Sequence, residues 1–165
     1  TVAYGGQPVQ LVNKLNINSF DAAERSMAVD RSKACIDEAV EMGAVGVAFL
    51  SGPDPGQERR NEAKELVFDS LSQLCAHAEK LGSIKVVIET FDYDIDKKAL
   101  VGPNAEAAVL SARLREKHKN FGVMVDLSHL PLQHETTEHA LTAAKDHLVH
   151  AHMGNCVMRD KNHPA

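Results

Sequence analysis

"FGVMVDLSHL", residues 121–130, is the stretch from which the fold can be inferred. Phe121, Val123, Met124 and Val125 are apolar, as is typical of a strand that is buried on both faces in a parallel sheet. The run then ends in Asp126, with a histidine three residues later. Because burial of an unpaired charge is costly, we expect a salt-bridge partner, solvent or a metal ion to compensate this carboxylate.

Segments of strand length alternate with helical segments along the rest of the chain. The strand segments are residues 1–4, 44–50, 84–90, 121–126 and 147–153, and the helical segments are residues 20–42, 57–80, 104–118 and 134–144. This alternation is typical of βα units and predicts a parallel sheet. For the first long helix, Ser19 is the expected N-cap and Gly43 the expected C-terminal stop.

The length of the chain limits the architecture. A closed barrel of eight βα units typically takes about 250 residues, whereas this chain has 165. The sequence therefore predicts either a small open sheet or an incomplete barrel, and the residues at the strand ends favour the barrel. We expect residues 1–165 to form one α/β domain with a TIM-barrel-type parallel sheet of about five strands and four helices.

Composition excludes several classes of protein. Apolar residues make up 44% of the chain and charged residues 25%, as in ordinary globular domains. A net charge of −5 argues against a nucleic-acid partner, because such proteins usually carry a basic face. The sequence has no long apolar run that could span a membrane. Cys35, Cys75 and Cys156 form no CxxC pair, so we expect free thiols in a cytoplasmic protein.

Three successive strand segments end in residues that can bind a metal. Glu89 ends one strand, Asp126 ends the next with His129 just beyond it, and His150 and His152 end the last. Each residue alone has an ordinary structural explanation, such as a salt bridge, a turn cap or a core histidine. Parallel strands lie about 4.8 Å apart, so residues at equivalent heights can converge. Together the oxygen and nitrogen ligands favour a divalent site for Mn²⁺, Co²⁺, Zn²⁺ or Mg²⁺.

The order of these motifs resembles that of a known family. A glutamate at one strand end, D-x-x-H at the next, and H-x-H followed by glycine at the third are similar to the xylose isomerase-like TIM barrels. These include sugar phosphate isomerases, ketose 3-epimerases and an endonuclease IV branch. Residues 16–52 also resemble the second helix and third strand of these proteins. The resemblance implies that the chain supplies approximately strands two to six of a barrel.

The resemblance also implies roles for individual residues. Glu89 looks like a metal ligand that also serves as acid and base, while Asp126 and His152 look like further ligands. His150, one pleat deeper, is expected to orient a ligand through a hydrogen bond. The residues that the resemblance assigns to substrate binding are His129, Asn155, which replaces a glutamate, and Arg159, which is shifted by one position.

The activity implied is that of a metal-dependent isomerase or epimerase acting on a sugar or sugar phosphate through a cis-enediolate. Glu89 would be one of two bases, and the second, a glutamate on a later strand, has no counterpart here. Two alternatives stay open: an inosose-type dehydratase using the same site, and a non-catalytic or truncated barrel module. An incomplete barrel also exposes strand edges, so we expect self-association or missing chain segments.

Overall fold

A computed structural model describes residues 2–82 and 84–158, in which five parallel strands form one sheet in the order β1-β2-β3-β4-β5. The strands are β1 Ala3–Gly5, β2 Gly46–Phe49, β3 Lys85–Glu89, β4 Phe121–Asp126 and β5 Leu148–His152; the helices are α1 Gln7–Val12, α2 Ala22–Glu41, α3 Arg60–Lys80, α4 Asn104–Arg115 and α5 Thr137–Ala144. Since β1 and β5 do not pair with each other, the sheet is open. The predicted α/β half-barrel is confirmed.

The hydrophobic core lies between the sheet and the helices. Its largest fully buried side chains include Phe49 of β2, Leu71 of α3 and Phe121 of β4. The opposite face of the sheet is concave and surrounds a cavity of about 160 Å³, which small residues such as Ala3 and Gly46 help to line. The helices of the described residues include none that is long and apolar enough to cross a membrane.

The start of α2 differs from the prediction. The N-cap is Asp21, not Ser19, and its carboxylate accepts hydrogen bonds from the backbone N–H groups of Ala23 at 2.8 Å and Glu24 at 3.0 Å. Ser19 lies two residues before this N-cap, and its hydroxyl accepts from the Asp21 N–H and donates to the Glu24 carboxylate. Gly43 follows the helix at φ 69°, which confirms it as the C-terminal stop.

Helix α1 was not predicted from the sequence. A helix of six residues is unstable alone, and this one is held by a tertiary contact. The Gln10 side chain accepts from the Leu50 N–H at 2.9 Å and donates to the Leu50 carbonyl at 2.9 Å. Gln10 therefore completes the hydrogen bonds of the backbone just beyond β2 and fixes α1 against the carboxyl edge of the sheet.

Candidate metal centre

The three residues predicted at strand ends occupy them in the structure. Glu89 is the last residue of β3, Asp126 of β4 and His152 of β5. Because the strands are parallel, all three lie at the carboxyl edge of the sheet. In the register of the sheet, Glu89 pairs with Met124 rather than with Asp126. Strands in a barrel are tilted, so Glu89 and Asp126 still converge although they are two residues apart in register.

A β-bulge sets the position of His152. The pairs Val123–Leu148 and Met124–His150 leave Val149 as an extra residue on β5. Beyond the bulge, Asp126 pairs with His152. Without the extra residue the partner of Asp126 would be Ala151, and His152 would point to the other face of the sheet. The bulge therefore brings His152 into the site.

Asp126 is held as a carboxylate by its own turn. Its Oδ1 accepts hydrogen bonds from the Ser128 N–H at 2.8 Å and the Ser128 hydroxyl at 2.6 Å. Burial acts to raise the pKa of Asp126, but these bonds and the nearby His129 and His152 bring it below its ordinary value. Oδ2 is left facing the two histidines, 3.4 Å from Nδ1 of His152 and 4.0 Å from Nε2 of His129.

The surroundings of Glu89 shift its pKa in the opposite direction from that of Asp126. It is only 4% exposed, and burial raises its pKa above the ordinary value despite a hydrogen bond from Gln7 and the proximity of His129. The Gln7 Nε2 donates to Glu89 Oε2 at 2.6 Å. The other oxygen, Oε1, lies 3.6 Å from Nδ1 of His129. Two neighbouring carboxyls with pKa values shifted in opposite directions are typical of acid–base sites.

His129 is placed between the two carboxylates. Its ring packs on Phe91 with centroids 4.4 Å apart, and its Nδ1 lies 3.4 Å from the Thr90 carbonyl. One ligand atom each from Glu89, Asp126 and His129 lie within 4.8 Å of one another. His129, and not His152, is therefore the histidine that lies within this distance of both carboxylates.

His152 lies at the open side of the site. Its side chain is 52% exposed, and its contact with Asp126 is the 3.4 Å approach of Nδ1 to Oδ2. His150 packs its ring edge-on against the His152 ring, with centroids 5.0 Å apart. His150 is thus a neighbour of His152 through ring packing, whereas the sequence predicted a hydrogen bond.

One of the two remaining candidates, Asn155, lies in the segment that follows β5. Asn155 is exposed, and its side-chain oxygen accepts a hydrogen bond from the Cys156 N–H at 2.9 Å. Arg159 lies outside the described residues. Their assignment to substrate binding stays a prediction.

The donor set fits a divalent metal ion. Ligands at about 2.1 Å from an ion lie within about 4.2 Å of one another, so the 4.8 Å cluster needs only a small side-chain adjustment. Glu89, Asp126 and one or both histidines would supply two oxygens and one or two nitrogens. Such a set suits Zn²⁺, Mn²⁺ or Co²⁺, and leaves positions for substrate oxygens.

Two further residues contribute to the site, and the first of them was missed in the sequence. Gln7 lies 82 positions from its partner Glu89, and no local pattern links them. Gly154 lies directly over the Asp126 turn: a Cβ added there would approach the Ser128 Cβ at 2.8 Å and Asp126 Oδ1 at 3.0 Å. The glycine after H-x-H was part of the motif, and this close approach is its physical reason.

Comparison with protein-family models identifies one family. The sequence model described as Xylose isomerase-like TIM barrel matches residues 3–163. No curated protein sequence matches the chain.

Several solved structures share the fold. D-psicose 3-epimerase with D-tagatose from Clostridium cellulolyticum H10 is 19% identical with a TM-score of 0.73, over 93% of this chain and 52% of that chain. AP endonuclease, family 2 from Brucella melitensis is 16% identical with a TM-score of 0.71, over 91% and 57%. The IOLI protein with a binding zinc atom is 18% identical with a TM-score of 0.63, over 74% and 42%. The chain thus spans about half the length of these structures.

Proposed function

Because the chain belongs to the xylose isomerase-like TIM barrel family, we propose that it carries the metal-binding half of a sugar isomerase or epimerase. The observation that carries this proposal is the convergence of Glu89, Asp126 and His129 within 4.8 Å at the carboxyl edge of the sheet, with His152 beside Asp126. In parallel α/β barrels, chemistry takes place at this edge. The sugar epimerases among the proteins of this fold agree with this reading.

We assign metal binding to Glu89, Asp126 and His152, and contact with a substrate hydroxyl to His129. His152 faces the open side of the cluster, where a ligand can complete the coordination of an incoming ion. His129 is held by Phe91 and Thr90 with its ring between both carboxylates. A divalent ion in this set would polarise a substrate carbonyl and make the neighbouring C–H more acidic.

The proton transfer is assigned to Glu89. Its carboxylate takes the proton from the carbon next to the carbonyl, which gives a cis-enediolate. Return of a proton to the neighbouring carbon gives an isomer, and return to the same carbon from the opposite face gives an epimer. Return of the proton from the opposite face needs a second acid, which we place outside this chain because the chain spans about half of the related structures.

Solvent exchange tests the proposal. The intact protein, loaded with Mn²⁺, Co²⁺, Zn²⁺ or Mg²⁺, is incubated in D₂O with a panel of ketoses, aldoses and their phosphates. We expect at least one sugar to gain deuterium at the carbon next to the carbonyl, as seen by NMR. Glu89→Gln should abolish the exchange, whereas Glu65→Gln, on the outer surface and paired with Arg113, should preserve it.

Other results would contradict the proposal. Conversion without deuterium incorporation would indicate direct hydride transfer rather than an enediolate. Loss of water from an inosose-type ketone, without isomerisation of any sugar, would assign the site to a dehydratase. Exchange that persists in Glu89→Gln would remove Glu89 from its role as the base.

A further inference from the structure

Gln7 is the first residue of α1, two residues after the end of β1, and it lies next to the proposed base. It is 9% exposed, and its Nε2 donates to Glu89 Oε2 at 2.6 Å. Glu89 is itself buried on β3, and β2 lies between β3 and β1, the strand that precedes α1. A buried carboxylate with so few donors depends strongly on each of them.

Contacts on either side of Gln7 hold its side-chain amide beside Glu89. The Gly6 N–H donates to the Ala48 carbonyl at 2.8 Å, which holds the turn against β2. A Cβ at Gly6 would lie 2.5 Å from the Phe49 ring, so a larger residue would push the turn outwards. After Gln7, the first residue of α1, the helix is fixed by Gln10 through its two hydrogen bonds to Leu50. Both sides of Gln7 are therefore anchored.

The hydrogen bond distinguishes the two oxygens of Glu89. Oε2 is occupied by Gln7, while Oε1 faces Nδ1 of His129 at 3.6 Å. We propose that Gln7 is a positioning residue that fixes the rotation of the Glu89 carboxylate and so presents Oε1 to the metal ion. This inference rests on the proposed metal-binding function of the site.

A packing role for Gln7 predicts different behaviour. If Gln7 only filled space beside the cavity, leucine would replace it without effect on a ligand at the site. If it positions Glu89, leucine frees the carboxylate to rotate and leaves Oε2 without a donor. Outer-shell partners of this kind typically change metal affinity by about 10–100-fold.

The test is the Zn²⁺ dissociation constant of the intact protein, measured by calorimetry against a competing chelator. We expect Gln7→Leu to raise the Kd by about 10–100-fold. In a Glu89→Gln background the same substitution should change the Kd by less than about twofold, since Gln7 acts through Glu89. Asn13→Ala is the control, because that amide is exposed at the end of α1 and donates to the Val9 carbonyl.

Gln7→Asn provides a second variant if leucine prevents folding. It keeps the amide but shortens the reach by one methylene, and it should raise the Kd in the same direction. An unchanged Kd in a folded Gln7 variant would overturn the inference, as would an equal rise in Kd in the parent and in the Glu89→Gln background. Neither result would contradict the proposed metal site. Absence of Zn²⁺ binding in the unsubstituted protein would overturn both this inference and the proposed function.

Discussion

Glu89 and Asp126 each offer an oxygen within 4.8 Å of the other, but their neighbours shift the two pKa values in opposite directions. The proposed chemistry depends on this difference. Asp126 receives two hydrogen bonds from Ser128 on one oxygen and keeps its pKa low although burial opposes this. Glu89 is more deeply buried, receives one hydrogen bond from Gln7, and its pKa is raised. The residue that stays charged is suited to hold a cation, and the one with the raised pKa is suited to exchange a proton.

The different positions of His152 and His129 lead to a prediction about single-residue variants. We expect His152→Ala to weaken metal binding by more than the 10–100-fold typical of outer-shell changes, because it removes a ligand. His129→Ala should leave the metal affinity within a few-fold and instead weaken sugar binding. Calorimetric titration of both variants with Mn²⁺ or Zn²⁺ measures the first effect, and steady-state kinetics the second.

The opposite ranking of the two variants would reassign the ligands. If His129→Ala loses the metal and His152→Ala keeps it, the third ligand is His129, which the structure places with Glu89 and Asp126 within 4.8 Å. His139→Ala is a suitable control, since that histidine is 66% exposed on α5.

At the scale of elements, the bulge in β5 determines which residues reach the site. The extra residue Val149 moves the pairing by one, so that Asp126 faces His152. Val149 also packs over Gly122 of β4, where an added Cβ would lie 2.4 Å from the Val149 Cγ2. Gly122 thus provides the space that the bulge needs.

Gly122→Ala should therefore destabilise the protein. The valine side chain is stiff at χ1 and has little freedom to move aside, so we expect a loss of about 1–3 kcal/mol in the free energy of unfolding, as for other overpacked sites. Urea denaturation of the variant measures this loss.

The double variant Gly122→Ala/Val149→Ala provides the control for that prediction. Removing the two Val149 methyl groups clears the space that the new Cβ needs, so most of the lost stability should return. A Gly122→Ala protein as stable as the parent, or a double variant without recovery, would show that the contact does not constrain the bulge.

The elements also show where inference from the sequence succeeds. An apolar run that ends in a polar residue is a local pattern, and it located the ends of β3, β4 and β5 to within one residue of Glu89, Asp126 and His152. Helix α1 and the bulge depend on contacts between distant residues, such as Gln10 with Leu50 and Gly122 with Val149. No local pattern encodes these contacts, so neither Gln7 nor the realigned register of β5 could be predicted.

At the scale of the whole molecule, the chain folds as an open half-barrel. Helices cover the outer face of the sheet, while the concave face and the outer edges of β1 and β5 have no partner within residues 2–82 and 84–158. Open strand edges tend to pair with other chains. Closed barrels of this type fill their interior with layers of side chains, whereas the concave face of this open sheet leaves a cavity of about 160 Å³.

We therefore predict that the 165-residue polypeptide produced alone self-associates. Sedimentation velocity over a concentration series should show a reversible shift to larger species. Ala3→Lys, which places a charge on the concave side of the edge strand β1, should reduce the shift. A monomer at all concentrations, with a cooperative and stable thermal transition, would contradict this prediction.

The central claim is that a divalent cation compensates Asp126 at the end of its buried strand. The most direct test is the metal content of the intact protein, measured by elemental analysis after dialysis, beside its Asp126→Asn and His152→Ala variants. We predict about one Mn, Co, Zn or Mg per subunit in the parent and a loss of metal in both variants. No metal in the parent, even after titration, would show that the strand-end charges are structural.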